Sequence, residues 1–456
     1  MIRVHTMQGS DENLARQNPF SLMEWQVCQR SENGTASLMV QGQLGSQHDQ
    51  TRTYHARLCL ESSGAPASEH LDHVQITVDS QGDWKLLLER VPAGGPYRFE
   101  LNGPGFFSCL HHLCVGDIWV IAGQSNAGGY SGGFIEDPPE IGVHQLAADH
   151  RWSLAAHPLG DGWGHSPLLQ FGKLLKNALG VPIGLVPLGA GGSGLAEWNP
   201  CEGEAPLYRR MISTIKSTGG PVKGMIWYQG CTDAGNPQTA STYAERFRAF
   251  VDRLRCDLGQ PDLPVVMTQL NRIRGPADKQ SDWNWSTVRE QQVLCARTIP
   301  HTAIVPAHDL GLSDAIHTSA ESNLVLASRY AQAALGLTRP GREVCRPAEI
   351  QYARLNRTRD VLTITFSHVP IGLVAVSEEI CDFIVEDGGC EVNYTIPERY
   401  LYFTNQVVLH LARPVSEKTV IRFCYGRNPE SSLRRYRDMI PPLACMEMPV
   451  STADQA

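Results

Sequence analysis

Residues 116–127 read Gly-Asp-Ile-Trp-Val-Ile-Ala-Gly-Gln-Ser-Asn-Ala, an apolar run that breaks at Gly123 into a turn carrying Ser125 and passes on into Gly128 and Gly129. A continuous apolar run of this kind marks a strand covered on both faces, and its sudden end in glycine and polar residues marks the strand's carboxyl end. A serine on such a turn is lifted out of the sheet beside free backbone N–H groups, the setting an acyl-transfer nucleophile needs. An ordinary strand-to-helix turn has the same local pattern, so partners elsewhere in the chain decide between the two readings.

The first partner is Ser-Asp-Ala-Ile-His at 313–317, where Asp314 and His317 stand three residues apart. Across one turn that spacing lets a carboxylate hold the imidazole Nδ1–H while Nε2 faces a serine. The same spacing also serves a surface ion pair or half of a metal site. After the apolar run 181–188 comes Gly-Ala-Gly-Gly-Ser-Gly at 189–194, too rich in glycine for a helix and suited to offer a backbone N–H. After Gly-Met-Ile-Trp-Tyr at 224–228 come Gln229, Gly230 and Cys231, where a side-chain amide stands at a strand end as a further donor. A thiol nucleophile at Cys231 lacks a histidine in a supporting motif, and the serine constellation accounts for the neighbourhood better.

Taken in this order the blocks resemble the SGNH hydrolase superfamily, and within it the sialate O-acetylesterase-like and acetylxylan esterase-like carbohydrate esterases. GDIWVIAGQSNA (116–127) looks like that family's nucleophile block, GGSGLAEW (191–198) like its Gly-Gly-Thr block, IWYQGCTDA (226–234) like its Trp-Tyr-Gln-Gly-Glu block and SDAIHT (313–318) like its Asp-Ile-His-Pro block. GGPYRFEL (94–101), VREQQ (288–292) and FCYGRNPESSLRRYRDMIPPLA (423–444) extend the likeness from about residue 80 to 446. The resemblance implies Ser125 as nucleophile, His317 as general acid/base and Asp314 as its orienting carboxylate. It implies an oxyanion hole of the Ser125 N–H, Gly192 and Gln229, in which losing one donor costs about 3 to 4 kcal/mol. Gln124, Asn126, Tyr130, Trp198 and Trp227 are expected to contact substrate.

The implied reaction is hydrolysis of O-acetyl esters on carbohydrates, sialic acid or hemicellulose-type sugars, through an acyl-enzyme and without a cofactor. The chain departs from the family pattern at Cys231 and Ala196, where glutamates are usual, at Thr318 for proline and at Glu321 for lysine. None of these is a triad position; they bear on the acyl and sugar subsites. Two other readings stay open: a carbohydrate-binding protein with a vestigial hydrolase core, and a short-chain carboxylesterase of other specificity.

Composition narrows the classes. The chain carries 39 basic and 47 acidic residues, a formal net charge of −8, which excludes the basic footprint nucleic acid requires. No window approaches the roughly twenty uninterrupted apolar residues of a membrane span. The start MIRVHTMQGSDEN lacks a charged-then-apolar profile, so a cytoplasmic chain is expected, or a secreted or periplasmic one whose signal peptide is missing. Thirteen cysteines without ligand spacing read as small buried apolar residues. His111, His112, His144, His150, His157 and His165 include no helical i,i+4 pair, and no metal is expected.

At 456 residues the chain exceeds one core, and its periodicity changes twice. Residues 1–113 alternate apolar and polar positions (SLMVQG, ARLCL, VQITVDS, WKLLLE, YRFELN), the pattern of an N-terminal β-sandwich-like domain. Residues 114–340 alternate apolar strand runs with helical stretches, PLLQFGKLLKNALG, TYAERFRAFVDRLRCDLG, WSTVREQQVLCARTI and SNLVLASRYAQAALG. Such alternation, with the resemblance, predicts an α/β catalytic domain of SGNH type, a three-layer α/β/α core around a mostly parallel sheet with its site at the strands' carboxyl ends. Residues 341–456 return to strands (EIQYARLN, VLTITFSHV, FIVED, YLYFTN, VVLHLA, TVIRFCYG), a C-terminal β domain that packs alone or with the N-terminal strands. The Gly/Pro-rich stretch 128–139 is a loop at the mouth of the site whose Tyr130 and Phe134 either meet a sugar or anchor the loop. Trp283 and Trp285 have the same two readings, and Arg272 and Arg274 read as solvated charges or carboxylate binders.

Overall fold

The computed structural model describes residues 20–44, 53–103, 105–276, 278–339, 341, 346–397, 401 and 403–452. The segment MIRVHTMQGSDEN lies outside the described residues. The chain divides into two compact units, Met1–Val115 and Gly116–Ala456, and the divide falls within the strand Phe106–Gly123.

In the first unit Thr35–Gln43 pairs antiparallel with Asp83–Pro92. Gly94–Gly103 runs antiparallel to Tyr54–Leu60 on one side and to the Phe106–Val115 stretch on the other. Strand side chains point alternately to opposite faces. Leu38, Val40, Trp84, Leu86 and Leu88 from the first pair therefore meet Leu58, Phe99 and Leu101 from the second in one core.

The second unit is organised by Asp117–Gly123. On one side it pairs in parallel with Ile183–Pro187, which pairs with Val143–Leu146. On the other it pairs in parallel with Gly224–Tyr228, followed by Val265–Gln269 and Thr302–Pro306. Ile183–Pro187, Gly224–Tyr228 and Val265–Gln269 are buried at every position, as strands covered on both faces must be. Helix Leu168–Leu179 packs on Ala320–Thr338, while Tyr243–Leu258 packs on both Pro206–Ser217 and Lys279–Thr298. The carboxyl ends of the strands thus deliver Ser125, the 189–194 loop and Gln229 to one edge of the sheet.

Several boundaries differ from the sequence reading. The helix expected from Trp285 starts at Lys279, because the Asp278 side chain accepts the Ser281 N–H at 2.8 Å and caps it earlier. Pro206–Ser217 is helical although its apolar stripe is thin: only Tyr208, Met211, Thr214 and Ile215 are buried. The YLYFTN stretch is not a strand at its described positions, and Tyr400 and Tyr402 lie outside them. A strand at Cys445–Thr452 instead pairs with both Thr419–Phe423 and Glu349–Leu355.

The C-terminal strands form an eight-stranded sheet with its own core around Leu362, Ile364, Phe366, Phe383, Val407 and Phe423, inside the second unit. Polar side chains of the parallel sheet and its helices reach this region. Gln269 donates to Ala444 O and accepts from Ala444 N, each at 3.0 Å, and Arg289 donates to Gly426 O at 2.6 Å. Among the described residues no helix is long and apolar enough to cross a membrane, and twelve cysteines are all free thiols.

Gly123 is the point at which the central strand turns. Its φ of +130° is one that side chains rarely adopt, and a Cβ there would lie 2.2 Å from Tyr228 O on the neighbouring strand. Gly123→Ala is expected to cost roughly 3 kcal/mol of stability, read as a lower urea midpoint than wild type. An unchanged midpoint would show that the strand end relaxes around the methyl group.

Candidate functional site

Ser125 follows Gly123 by two residues, in the first turn beyond the strand, and is buried. His317 Nε2 lies 2.9 Å from Ser125 Oγ, and His317 Nδ1 lies 2.7 Å from Asp314 Oδ2. A carboxylate only accepts, so Nδ1 carries the proton toward Asp314 and Nε2 is left to accept from the serine hydroxyl. Asp314 Oδ1 also accepts the backbone N–H of Ile316 and of His317, both at 2.8 Å, which closes the short turn between them. Burial alone would push the Asp314 carboxyl up. The His317 N–H, the imidazole and the Ile316 N–H outweigh it and hold the group below its ordinary value.

Asn126 ties the serine turn to the histidine turn. Its Nδ2 donates to Ile316 O at 3.3 Å and its Oδ1 accepts from Thr318 N at 3.1 Å, so its amide brackets His317. Asn271, just past the strand Val265–Gln269, donates to the same Ile316 carbonyl. Thr318 is fully buried and gives its hydroxyl to Asn323 Oδ1 at 2.7 Å, while Asn323 Nδ2 donates to Ser131 Oγ at 2.8 Å. The proline usual at 318 would offer neither the N–H nor the hydroxyl.

Five side chains proposed from sequence for direct work at the substrate do something else. Gln124 is buried, and its Oε1 accepts the N–H groups of Gly230 and Cys231 at 3.0 and 2.9 Å, pinning one strand end to the next. Asn126 is buried in the bracket just described. Trp198 and Trp227 are core residues packed edge to face at 5.6 Å, their indole N–H groups given to Ser193 Oγ and Tyr243 Oη, each at 3.0 Å. Gln229, expected as an oxyanion donor, is fully buried with its amide N–H groups committed to Asp233 Oδ2 at 2.6 Å and Ser193 O at 3.2 Å. A buried amide takes the partners closest to it, and here a buried carboxylate competes.

That carboxylate, Asp233, also accepts from Leu195 N at 2.9 Å and from Arg246 at 2.7 Å. Thr232 Oγ1 donates to Gly192 O at 3.0 Å, so the glycine loop is held at Gly192 as well as at Leu195. Gly191 and Gly192 themselves are exposed. Neither the Ser125 nor the Gly192 N–H donates to another described residue. Tyr130 keeps its place at the mouth: its ring lies near-parallel to the His317 ring at 6.1 Å and edge-on to Trp163 at 6.2 Å. Phe134 is exposed, as is Trp283, whereas Trp285 is buried and gives its indole N–H to Asn271 O at 2.8 Å. Burial pushes the Cys231 thiol up to about 12, which removes it as a nucleophile at neutral pH.

The sequence reading passed over Asn271, Asn323, Trp163 and Asp137. Asn271 carried the same signal as Ser125 and Gln229, a polar residue ending an apolar run. Asp137 carried none: it lies in the 128–139 loop and takes Lys173 Nζ at 2.6 Å and His157 Nε2 at 2.9 Å, with His165 Nε2 at 3.4 Å. His157 and His165, two of the six histidines from which no metal site is expected, stack at 4.1 Å, and with Asp137 they bring one potential metal-ligand atom each to within 4.8 Å of one another. The Lys173 ammonium already sits on that carboxylate as its cation. A cavity of about 450 Å³ bounded by Arg297, Ile304, Glu349 and His368 contains none of the residues around Ser125.

The family model described as "Carbohydrate esterase, sialic acid-specific acetylesterase" matches residues 115–336. A probable carbohydrate esterase of Arabidopsis thaliana is 31% identical over 246 residues, 48% of this chain and 90% of that protein. Human sialate O-acetylesterase is 24% identical over 202 residues, 32% of this chain and 38% of that protein. Among solved structures, a carbohydrate acetylesterase from Xanthomonas citri covers 93% of this chain and 98% of its own at a TM-score of 0.67 and 22% identity, a likeness of fold.

Asp137 has a measurable consequence. Its burial raises the carboxyl pKa, but hydrogen bonds from His157, His165 and Lys173 and the lysine charge overturn this and depress it strongly. A group depressed in the folded state stabilises above its unfolded pKa, about 3.9, and that contribution fades as pH falls below it. Asp137→Asn is therefore expected to lower the thermal midpoint at pH 7, with the gap to wild type narrowing below about pH 4. A gap that stays constant with pH would mean that packing, not charge, carries the residue's contribution.

Proposed function

The chain belongs to the carbohydrate esterase family whose model is described as a sialic acid-specific acetylesterase, and from that premise we propose that it removes O-acetyl groups from carbohydrates with Ser125, His317 and Asp314 as its catalytic triad. Membership makes it a carboxylic ester hydrolase; the substrate and the residue roles are this proposal. The observation that carries it is the unbroken contact from Asp314 through both nitrogens of His317 to the Ser125 hydroxyl. We also read the parallel strands and their packed helices as the three-layer α/β/α core of SGNH hydrolases, and the strands on either side of it as separate β modules.

In the proposed reaction Ser125 Oγ attacks the acetyl carbonyl as His317 Nε2 takes its proton, giving a tetrahedral oxyanion. The N–H groups of Ser125 and Gly192, free of partners among the described residues, are the donors assigned to that oxyanion. Gln229 acts one step back: by binding Asp233 and Ser193 O it fixes the loop on which Gly192 is carried. Collapse of the intermediate expels the sugar oxygen, which takes the proton back from His317, and leaves acetyl on Ser125. Water activated by the same imidazole then releases acetate and restores the serine. Asp314 remains ionised throughout, because its two N–H contacts and the imidazole stabilise the anion.

Sialic acid and hemicellulose-type sugars are the substrate classes named by the resemblance, and the human relative's name supports the first. The decisive test is acetate release from O-acetylated sialic acids and acetylated xylo-oligosaccharides. Wild type is expected to release acetate and Ser125→Ala to lose it; Asp314→Asn is expected to lower kcat by roughly 10⁴, as loss of the orienting carboxylate does in serine proteases. Binding of these sugars without release would favour a carbohydrate-binding protein with an inert core. Turnover of 4-nitrophenyl acetate alone would favour a short-chain carboxylesterase of other specificity.

A further inference from the structure

Trp163 is the large side chain beside the site that the chemistry above does not use. Trp163 is 60% exposed, and its ring and that of Tyr130 meet edge to face, with the Tyr130 ring near-parallel to that of His317. A single exposed aromatic residue is ordinary on a protein surface. The backbone that presents this one is not. Trp163 sits between Gly162 and Gly164, and a Cβ on either would fall 2.0 Å from a carbonyl oxygen, that of Gly128 or of Ser131. The close approach is sealed by hydrogen bonds from Gly164 N to Gly129 O at 2.9 Å and from His165 N to Ser131 O at 3.1 Å. The loop bearing Trp163 is thus pressed, backbone against backbone, onto the loop that follows Ser125.

The next residue deepens the anchor. His165 is buried against Asp137 and His157, and its carbonyl accepts from Asn323 Nδ2 at 3.1 Å. Asn323 also holds Thr318, the neighbour of His317. One framework therefore fixes both the imidazole and the backbone of an indole that is more than half exposed to solvent. A ring held this way has little conformational freedom to lose when a ligand stacks on it. Two ring-to-ring steps of 6.2 and 6.1 Å join Trp163 to His317 through Tyr130, so the indole stands at the mouth of the site.

We propose that Trp163 is a stacking platform for the pyranose next to the acetylated one, so that the substrate is an oligosaccharide or polysaccharide and not a lone sugar. The C–H face of a pyranose packs on an indole face while the ring's hydroxyl groups stay in water. This inference rests on the esterase reading above and names the substrate class of that same site.

The test compares wild type, W163A and W163F in acetate release from acetylated xylo-oligosaccharides and acetylated sialosides of increasing length, with 4-nitrophenyl acetate as the minimal ester. In wild type kcat/KM is expected to rise with chain length. In W163A the loss on the longest sugar is expected to exceed the loss on 4-nitrophenyl acetate by roughly two- to tenfold, mainly through KM, and W163F should retain most of the wild-type advantage. Equal losses on both kinds of substrate would overturn the platform, since they would assign Trp163 to support of Tyr130 alone; so would a wild type indifferent to length. Sugar turnover that is the same in wild type and W163A would remove the platform and leave the esterase reading standing. Ser125-dependent cleavage of 4-nitrophenyl acetate with no release from any sugar would remove both.

Discussion

The bracket that Asn126 places around His317 is the interaction on which the rest of the site depends. Ser125 and His317 come from segments far apart in the chain, and a 2.9 Å contact between them tolerates little drift. Asn126 is adjacent to the serine and grips Ile316 O on one side of the histidine and Thr318 N on the other. Asn126 and Thr318 are buried and the Ile316 contact is part-buried, so breaking the bracket would leave shielded donors and acceptors unpaired. That penalty makes the arrangement stiff, and stiffness here sets the distance over which a proton has to pass.

Behind the bracket the support passes into the C-terminal strands. Asn271 shares the Ile316 carbonyl, and its own carbonyl is held by Trp285 at 2.8 Å and by Arg289 at 2.7 Å. Arg289 is fully buried and its partners are backbone carbonyls, including that of Gly426. Burial lowers its pKa to about 10, which still leaves it a cation at neutral pH. A buried guanidinium whose hydrogen bonds go to neutral carbonyls is stable only if its fork meets enough of them, and the C-terminal region supplies some. This gives a physical reason for that region to lie in one compact unit with the parallel sheet.

On the other side of Ser125 a second network replaces the direct role that sequence assigns to Gln229. Asp233 gathers Gln229, Leu195 N and Arg246 around one buried carboxylate. Such a group contributes little net stability once desolvation is counted, but it fixes geometry, because any displacement exposes an unpaired charge to a low-dielectric interior. The geometry it fixes is that of the loop carrying Gly192. The glutamates usual at positions 196 and 231 are therefore not the sole means of holding that loop: here Ala196 is exposed and Cys231 is a buried thiol.

The sequence by itself determined the strand run ending at Gly123, the serine on its turn, the glycine loop, the Asp-x-x-His spacing and most of the helices, because each is a local matter of periodicity or backbone preference. The family resemblance rested on those same blocks. Only the tertiary structure decided where the polar and aromatic side chains beside them point. Gln124 turns inward to the N–H groups of Gly230 and Cys231 on a distant loop, and Gln229 to the Asp233 carboxylate just beyond it and to Ser193 O of another loop. Trp198 and Trp227 vanish into the core because the sheet and its helices close over them, whereas Trp163 stays exposed because two glycines clamp its backbone to another loop. Each outcome depends on at least one neighbour remote in sequence, and a pattern along the chain carries no record of which of them will arrive.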